Sequence, residues 1–449
     1  MQDMSESADG DRGPRVVALS WVDNAGISRV KAVPAHRLEH ANRWGVGMAP
    51  VFDTFLVDDS RAGGPGFDSP VGDLRLRPDL TRLTLLAAQP GWAWAPADRY
   101  GQDGTPYAGC QRSFALRMTR EAQARGIGLR MGFETEWTVE EDPRARATPA
   151  GRSGPGPAYG LARLAGSGPY LLDIAQALAD QRIDLLQIHP EYETGQYEVS
   201  TAPESPVDAA DTAVLVRHTL RALSARHGLL PSFAPLTTPS GAGNGGHLHL
   251  SPWRAGTNLL QGGGGPYGMT PDGEAFLAGV LDSLPALTAL GCPSPASYLR
   301  LVPSQWAGAY QCWGRENREA ALRLVTGGHA APGTANAEVK CFDQAANPYL
   351  LVGAVIAAGL AGVDAGLRLP PECTGDPAAA PPATLARRGV RRLPDTLAAS
   401  TGHLEESALL RRAMGDRLID AVLAVRRGEE ALLGGRTPEE IVEATRWRY

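Results

Sequence analysis

The sequence predicts an α+β fold, and three features of the chain support this prediction. The chain has 449 residues, enough for two to four domains at about 100–200 residues each. Hydrophobic residues make up 43% of the composition and charged residues 20%, which is typical of a soluble chain with a sizeable core. Short strand-like runs broken by glycine and proline fill the first hundred residues, and strands alternate with runs of helical length further along.

The N-terminal part is expected to form a small mixed domain over residues 14–108, after a disordered tail at residues 1–13. Strands are predicted at residues 15–23, 27–33, 74–76 and 83–87. The first two flank the turn-forming residues 24–26 and therefore predict a β-hairpin. Pro34 then begins a short helix, because proline is favoured in a first helical turn.

The second domain is expected over residues 109–449. Its predicted strands are residues 128–139, 183–188, 196–201 and 246–251. Its predicted helices are residues 113–125, 170–181, 207–227, 272–290, 347–363 and most of 392–445. The helix at 347–363 has Asn347 as its cap and Pro348 at its first position, and Pro169 is expected to begin the helix at 170–181. A long loop is expected at residues 142–168.

Charge, cysteine usage and hydropathy exclude several classes of protein. The 43 basic and 49 acidic side chains give a net charge of −6, so no broad positive field is available for a nucleic-acid partner. The longest apolar run, residues 349–363, is too short to span a membrane and is predicted to be a buried helix. Five scattered cysteines and the lack of an N-terminal apolar signal indicate reduced thiols in a cytoplasmic protein.

Acidic and basic side chains recur on predicted strands or just past their ends, several of them two residues apart. The residues in question are Glu134, Glu136, Glu191, Glu198, His247, His249, Glu338 and Lys340. Residues two apart on a strand point to the same side, so Glu134 lies beside Glu136, and His247 beside His249. Any one such pair is more often a solvent-facing edge than a site. Taken together they favour a divalent-metal site, and mixed carboxylate and imidazole donors favour Mg²⁺ or Mn²⁺ over structural zinc.

Two other patterns are weaker. Residues 241–246 match the dinucleotide-binding pattern G-x-G-x-x-G, but they precede a strand instead of following one, so that interpretation fails. Arg300, Arg318 and Arg323 carry guanidinium groups suited to carboxylate or phosphate. A solvated helix face would explain these arginines equally well.

In chain order, these segments resemble motifs of the glutamine synthetase family. Residues 132–137 resemble G-x-E-x-E-F, residues 191–198 a glutamate followed by G-Q-x-E, and residues 242–251 N-G-S-G-M-H-x-H-x-S. Residues 298–303 resemble Y-x-R-L-x-P, residues 317–323 N-R-S-A-x-x-R, and residues 338–350 E-x-R-x-x-D-x-x-A-N-P-Y-L. The match runs from about residue 15 to residue 435 with every motif in order.

The resemblance implies an N-terminal β-grasp domain, a glutamine-synthetase-type catalytic α/β domain, and the substrates glutamate and ATP. It also implies a ring of identical subunits, commonly a dodecamer, with active sites between subunits. By matching position, one metal site would take Glu136, Glu191 and Glu198, and the other Glu134, His247 and Glu338. Glutamate would be held by Gly243, Arg300 and Lys340. ATP would contact His249, Ser251, Arg318 and Arg323, the two arginines being catalytic.

The departures from the family motifs concern the ammonium site. Trp306 occupies the place of a glutamate that binds and deprotonates ammonium, and indole offers an apolar or cation–π wall instead. A second family loop with an acid is only faintly echoed by residues 53–57, so Asp53 is the remaining candidate there. Ala242 replaces an asparagine, and Asn336 and Lys340 replace arginines.

These departures favour an ATP-dependent ligase that joins the γ-carboxylate of glutamate to a primary amine through a γ-glutamyl phosphate. The resemblance is to the glutamate–amine ligases of the family, such as γ-glutamylethanolamide and γ-glutamylpolyamine synthetases. The alternatives are a true glutamine synthetase that uses ammonium and a catalytically silent homologue.

Overall fold

The computed structural model describes residues 13–64, 66–67, 71–145, 156–328 and 331–449. Apart from Gly13, the tail expected at residues 1–13 lies outside the described residues. Within them the chain forms two β-sheets and twelve α-helices, of which the first is short. Strands and helices are both abundant, which confirms the α+β prediction.

The N-terminal sheet has six strands, β1 (Val16–Val22), β2 (Ser28–Pro34), β3 (Val46–Met48), β4 (Leu74–Pro78), β5 (Thr84–Leu85) and β6 (Trp92–Tyr100). The predicted hairpin is present, because β1 and β2 pair antiparallel with Val17 opposite Val33. Strand β1 pairs with β6 in parallel, and the main order is β2-β1-β6-β4-β3, with β5 on β6. Helix α1 (Leu38–Trp44) covers this mixed sheet. The arrangement is consistent with the β-grasp domain that the resemblance implies.

The second sheet supplies the strands that matter for function. They are β7 (Gly128–Glu141), β8 (Leu185–Pro190), β9 (Gln196–Thr201), β10 (Leu229–Ser232), β11 (Leu248–Arg254), β12 (Thr257–Asn258), β13 (Tyr310–Arg315), β14 (Ala320–Val325), β15 (Asn336–Val339) and β16 (Arg391–Arg392). The order is β16-β13-β14-β15-β11-β7-β9-β8, with β10 on β7 and β12 on β11. All described pairings are antiparallel except that of β13 with β14.

Helices cover the second sheet and pack against one another. After α1 they are α2 (Gln111–Ala124), α3 (Leu161–Asp180), α4 (Pro206–Arg226), α5 (Pro271–Gly291), α6 (Pro295–Arg300), α7 (Pro348–Ala365), α8 (Pro382–Arg388), α9 (Leu397–Glu406), α10 (Ala408–Met414), α11 (Asp416–Leu433) and α12 (Pro438–Thr445). Helix α7 starts as predicted, with the Asn347 side chain accepting hydrogen bonds from two backbone N–H groups. Helices α5 and α7 approach closely, since a Cβ on Gly279 would lie 2.7 Å from the Cα of Gly362.

Two helices are long and apolar enough to cross a membrane by length and composition alone, α5 and α7. In the folded chain 83% and 78% of their apolar windows are buried. Both are therefore core helices of this domain, as predicted for residues 349–363.

Two boundary predictions are wrong. Pro34 is the last residue of β2, and the chain becomes helical only after it, so Pro34 does not begin the short helix. The loop expected over residues 142–168 ends earlier, because α3 begins at Leu161 and continues through Pro169 without a break. Proline lacks the N–H that a helix interior needs and crowds the preceding turn. Here the residues before it, 166–168, are Gly-Ser-Gly. The turn before Pro169 is thus built from small residues, and Pro169 lies inside the helix and does not begin it.

Candidate active site

Strand β7 lies at the centre of the candidate site. Glu134 and Glu136 share one face of β7, as their spacing predicts. On one side Glu136 pairs directly with Glu198 of β9. On the other side β11 pairs with both β7 and β15, which places His249 opposite Glu338. Directly opposed residues in a sheet point to the same face, so four strands present these side chains together.

The first group of side chains, here called the acid–imidazole cluster, contains Glu134, His247, His249 and Glu338. The two oxygens of Glu134 lie 2.8 Å from Nδ1 of His247 and 3.0 Å from Nε2 of His249. Oε1 of Glu338 lies 3.2 Å from Nδ1 of His247. Glu338 also accepts hydrogen bonds of 3.0 Å from Lys340 Nζ and from Arg323. Negative and positive groups are thus tightly interleaved here.

The imidazoles and the carboxylates of this cluster shift one another's pKa values. Burial tends to raise the pKa of Glu134, but hydrogen bonds from the two histidines hold it far below its usual range. Burial likewise tends to lower the pKa of His249, but the hydrogen bond and charge of Glu134 raise it to about 9. For Glu338, burial is outweighed by the charge of Lys340 and by His247, so its pKa is well below the usual value. A bound cation would supply positive charge to the same carboxylates.

The second group, here called the carboxylate cluster, contains Glu136, Glu191, Glu198 and His189. The ring nitrogens of His189 lie 3.4 Å from Oε1 of Glu191 and 3.7 Å from Oε1 of Glu198. The backbone N–H of Gly245 donates a hydrogen bond of 2.7 Å to Oε2 of Glu136. In the part of the chain that the structure describes, neither Glu191 nor Glu198 forms an ion pair with lysine or arginine.

The negative charge of the carboxylate cluster is therefore poorly compensated by the protein itself. Burial and the charges of Glu134, Glu136 and Glu191 raise the pKa of Glu198 to about 10. Burial and the charge of Glu136 also raise the pKa of Glu191. Buried carboxylates that repel one another are the arrangement that a divalent cation stabilises, because the cation supplies the missing positive charge. The donor chemistry fits a divalent metal.

Two sets of three side chains have ligand atoms within 4.8 Å of one another: Glu134, His249 and Glu338, and His189, Glu191 and Glu198. All six metal-ligand candidates from the sequence lie in the two clusters. The structure adds His189, which sequence reasoning missed. Its spacing of two from Glu191 at a strand end is the same signal that identified the other pairs. The structure also adds Tyr159, whose hydroxyl donates a hydrogen bond of 2.7 Å to Glu191, and no sequence pattern pointed to it.

The glycine-rich segment at residues 241–246 packs tightly against these clusters. A Cβ on Gly243 would lie 2.5 Å from Cγ of Arg300, and one on Gly245 would lie 2.7 Å from Oε1 of Glu136. Only glycine permits this close approach of the backbone. The guanidinium of Arg300 in turn lies 3.3 Å from Nε2 of His247. Gly243 and Arg300 are thus adjacent to each other and to the acid–imidazole cluster.

The segment that contains Arg318 and Arg323 is not a helix. The alternative of a solvated helix face is therefore wrong for these two arginines. Arg318 lies in the turn between β13 and β14, and Arg323 lies in β14 opposite Glu338. Arg323 donates to Glu338 at 3.0 Å and to Glu316 at 3.1 Å, whereas Arg318 is exposed. Ser251 is buried on β11 and accepts a hydrogen bond of 2.8 Å from the Trp253 indole.

The two candidates for the amine site lie in different surroundings. Asp53 is buried in the N-terminal domain, where its carboxylate is bound by Arg99 and Tyr107. The structure does not bring Asp53 to either cluster. Trp306 lies in the loop between α6 and β13 and is 55% exposed. The same loop reaches Lys340, since a Cβ on Gly308 would lie 3.1 Å from Cβ of Lys340.

Comparison with known proteins agrees with this architecture. The family description "Glutamine synthetase, catalytic domain" matches residues 108–442. The chain is 54% identical to the gamma-glutamylpolyamine synthetase of Streptomyces coelicolor over 98% of this chain and 94% of that protein. It is 28% identical to a glutamate–methylamine ligase of Methyloversatilis universalis over 92% of each chain.

Solved structures give the same result for the fold. A crystal structure of a glutamine synthase homolog superimposes with a TM-score of 0.87 and 32% identity, covering 98% of this chain and 100% of that one. A GmaS complex with ADP superimposes with a TM-score of 0.81 and 26% identity over 95% of each chain. These matches cover nearly the whole length of the chain, and the second sheet brings the family motifs together. This chain therefore belongs to the glutamine synthetase family.

Proposed function

We propose that this protein is an ATP-dependent glutamate–amine ligase. It joins the γ-carboxylate of glutamate to a primary amine by way of a γ-glutamyl phosphate. The observation that carries the proposal is the exposed indole of Trp306, which lies on a loop against Lys340 where the family motif has an acid. The similarity to a gamma-glutamylpolyamine synthetase over nearly the whole of both chains supports the same conclusion and makes polyamines the first amines to test.

The two clusters are proposed as the metal sites. Glu136, Glu191 and Glu198 would hold one divalent cation, with His189 within reach, and Glu134, His247 and Glu338 would hold the other, with His249 within reach. Mg²⁺ is the preferred candidate and Mn²⁺ the alternative, because the donors are carboxylate oxygens and imidazole nitrogens. When bound, such ions neutralise phosphate oxygens and favour phosphoryl transfer.

The remaining side chains orient the substrates. Arg300 and the backbone at Gly243 would hold glutamate, with Lys340 nearby to balance negative charge. His249 and Ser251 on β11 would face ATP, and Arg318 and Arg323 would stabilise the charge on the transferred phosphoryl group. Phosphoryl transfer is achieved mainly by positioning and charge stabilisation, so these roles need no covalent chemistry from the protein.

The amine site is proposed at Trp306. A carboxylate there would attract ammonium and accept its proton, whereas indole provides an uncharged wall for the organic part of an amine. Asp53 stays the second candidate for this site. Arg99 and Tyr107 hold its carboxylate away from both clusters of its own chain, so it would contribute to the site of a neighbouring subunit.

The wider organisation is proposed from the family resemblance. We expect two domains, residues 14–108 and 109–449, in a cytoplasmic enzyme that forms a ring of identical subunits, commonly a dodecamer. Active sites would lie between neighbouring subunits. Size-exclusion chromatography with light scattering tests the ring, and a monomer at micromolar concentration would contradict it.

The activity is tested by measuring ADP release with glutamate and a panel of amines: ammonium, methylamine, ethanolamine, putrescine and spermidine. We expect an organic primary amine to give the highest kcat/KM. Ammonium as clearly the best substrate would instead identify a true glutamine synthetase. Metal and ATP binding without ADP release for any amine would identify a catalytically silent homologue.

A further inference from the structure

The loop of residues 301–309, here called the Trp306 loop, has an unusual backbone. Ser304 has φ +57° and Trp306 has φ +55°, so two residues that carry a Cβ adopt the left-handed conformation. Such conformations are costly outside glycine and persist where surrounding contacts hold them. The position of the indole therefore depends on whatever fixes this loop.

Glu319 supplies the principal contact. Its side chain is 8% exposed, and its Oε1 accepts a hydrogen bond of 2.9 Å from the backbone N–H of Trp306. This carboxylate thus holds the left-handed backbone of Trp306 directly. Its side-chain hydrogen bonds, within the described part of the chain, go to this loop and to no other element.

Asp376 provides a second contact to the Trp306 loop. Its Oδ2 accepts a hydrogen bond of 2.7 Å from the Ser304 hydroxyl, and its Oδ1 accepts one of 2.8 Å from the backbone of Ala378. The Ser304 side chain is itself exposed. This contact is therefore more accessible to water than the one to Glu319 and holds the loop less firmly.

Both ends of the Trp306 loop are anchored next to the candidate active site. At its start, Arg300 lies 3.3 Å from Nε2 of His247. At its end, Gly308 packs against Lys340, which donates to Glu338 at 3.0 Å. Fixing the centre of the loop therefore fixes the indole relative to the acid–imidazole cluster.

We infer that Glu319 is a positioning residue for amine selection, which holds the Trp306 loop so that the indole faces the incoming amine. The inference rests on the proposed function, in which Trp306 forms the wall of the amine site. Glu319 acts through Trp306 and not by touching the substrate. Its loss therefore lowers the preference for an organic amine over ammonium, and leaves the KM values for ATP and glutamate nearly unchanged.

The test compares Glu319→Ala, Glu319→Gln, Trp306→Ala and the double variant of Glu319→Ala with Trp306→Ala. The measured quantity is the ratio of kcat/KM for the best organic amine of the panel to that for ammonium. Glu319→Ala is expected to lower this ratio by about tenfold or more. Glu319→Gln keeps a carbonyl oxygen as acceptor and is expected to stay within about twofold of the wild type. The double variant is expected to lose no more than Trp306→Ala alone, because the two residues act as a unit.

A matched control is Glu405→Ala, which removes a surface carboxylate paired with Arg427 at 2.6 Å and should leave the ratio unchanged. An unchanged ratio in folded Glu319→Ala overturns the inference, and so do strictly additive losses in the double variant. Should Glu319→Ala fail to fold, Glu319→Asp shortens the side chain by one methylene and withdraws the carboxylate from the N–H of Trp306. It is expected to lower the ratio by a smaller factor, and no change would again overturn the inference.

The same experiment separates the inference from the function on which it rests. An unchanged ratio in Trp306→Ala overturns the proposed amine site and the inference with it. A lowered ratio in Trp306→Ala together with an unchanged ratio in Glu319→Ala overturns the inference alone.

Discussion

Replacing Trp306 with glutamate should convert an apolar wall into a carboxylate that attracts ammonium. The exposed 55% of a tryptophan surface of about 250 Å² amounts to about 140 Å². An amine that covers about half of this surface buries about 70 Å², which is worth about 1.7 kcal/mol at about 25 cal/mol per Å². At 1.4 kcal/mol per factor of ten, Trp306→Glu should lower kcat/KM for the preferred organic amine roughly 20-fold.

The assay measures ADP release at saturating ATP and glutamate, with either the organic amine or ammonium varied, on samples matched for folded fraction by circular dichroism. Activity with ammonium should rise as activity with the organic amine falls. Trp44 is a suitable control, because it is also 55% exposed but lies on α1 of the N-terminal domain. Equal losses with both amines in Trp306→Glu would show that the indole only packs the loop, and would refute the assignment.

Substitutions at three other positions test the two clusters. Glu136→Ala should keep the far-ultraviolet circular dichroism spectrum and lose phosphoryl transfer, since a cation there would lose a ligand. An active variant with unchanged Mg²⁺ dependence would contradict the metal assignment. Lys340→Met leaves buried Glu338 with one cation fewer and should cost about 3 kcal/mol in the free energy of unfolding by guanidinium chloride. Lys340→Arg should recover most of that loss, and equal stability of all three proteins would exclude the ion pair as a contributor. Because the pKa of His249 is raised to about 9, its contribution to stability is complete below about pH 6.5 and is lost as pH rises through 9. Thermal unfolding in EDTA should therefore show a steeper fall in stability between these pH values for the wild type than for His249→Asn, and parallel curves would reject the raised pKa.

The elements that the sequence predicted well are those governed by local chemistry. The cap of α7 depends on Asn347 and the residues beside it, so a short segment suffices to identify it. The shared face of Glu134 and Glu136 follows from the pleat of one strand. Local rules cannot predict which strands pair with one another. The family resemblance was needed to predict that side chains from different strands form one site.

What the sequence did not predict has a different origin. Asp53 was a candidate only because residues 53–57 faintly echo a family loop, and its contacts to Arg99 and Tyr107, some fifty residues away, were not predicted. Pro169 looked like a helix start because a proline in a helix interior is normally excluded, and only the packed structure shows that the turn before it tolerates the ring. Both cases concern contacts in space that the order of residues does not reveal.

The arrangement of strands around β7 has a consequence for how the protein folds. Residues close in the site are distant along the chain, since β11 pairs with both β7 and β15. Closing these long loops costs chain entropy that is recovered only when all partners have docked, so the sheet forms slowly and late. A fragment that lacks β15 leaves the acid–imidazole cluster without Glu338. Binding of a divalent cation at that cluster would then serve as a kinetic reporter, appearing during refolding only when β15 has been added.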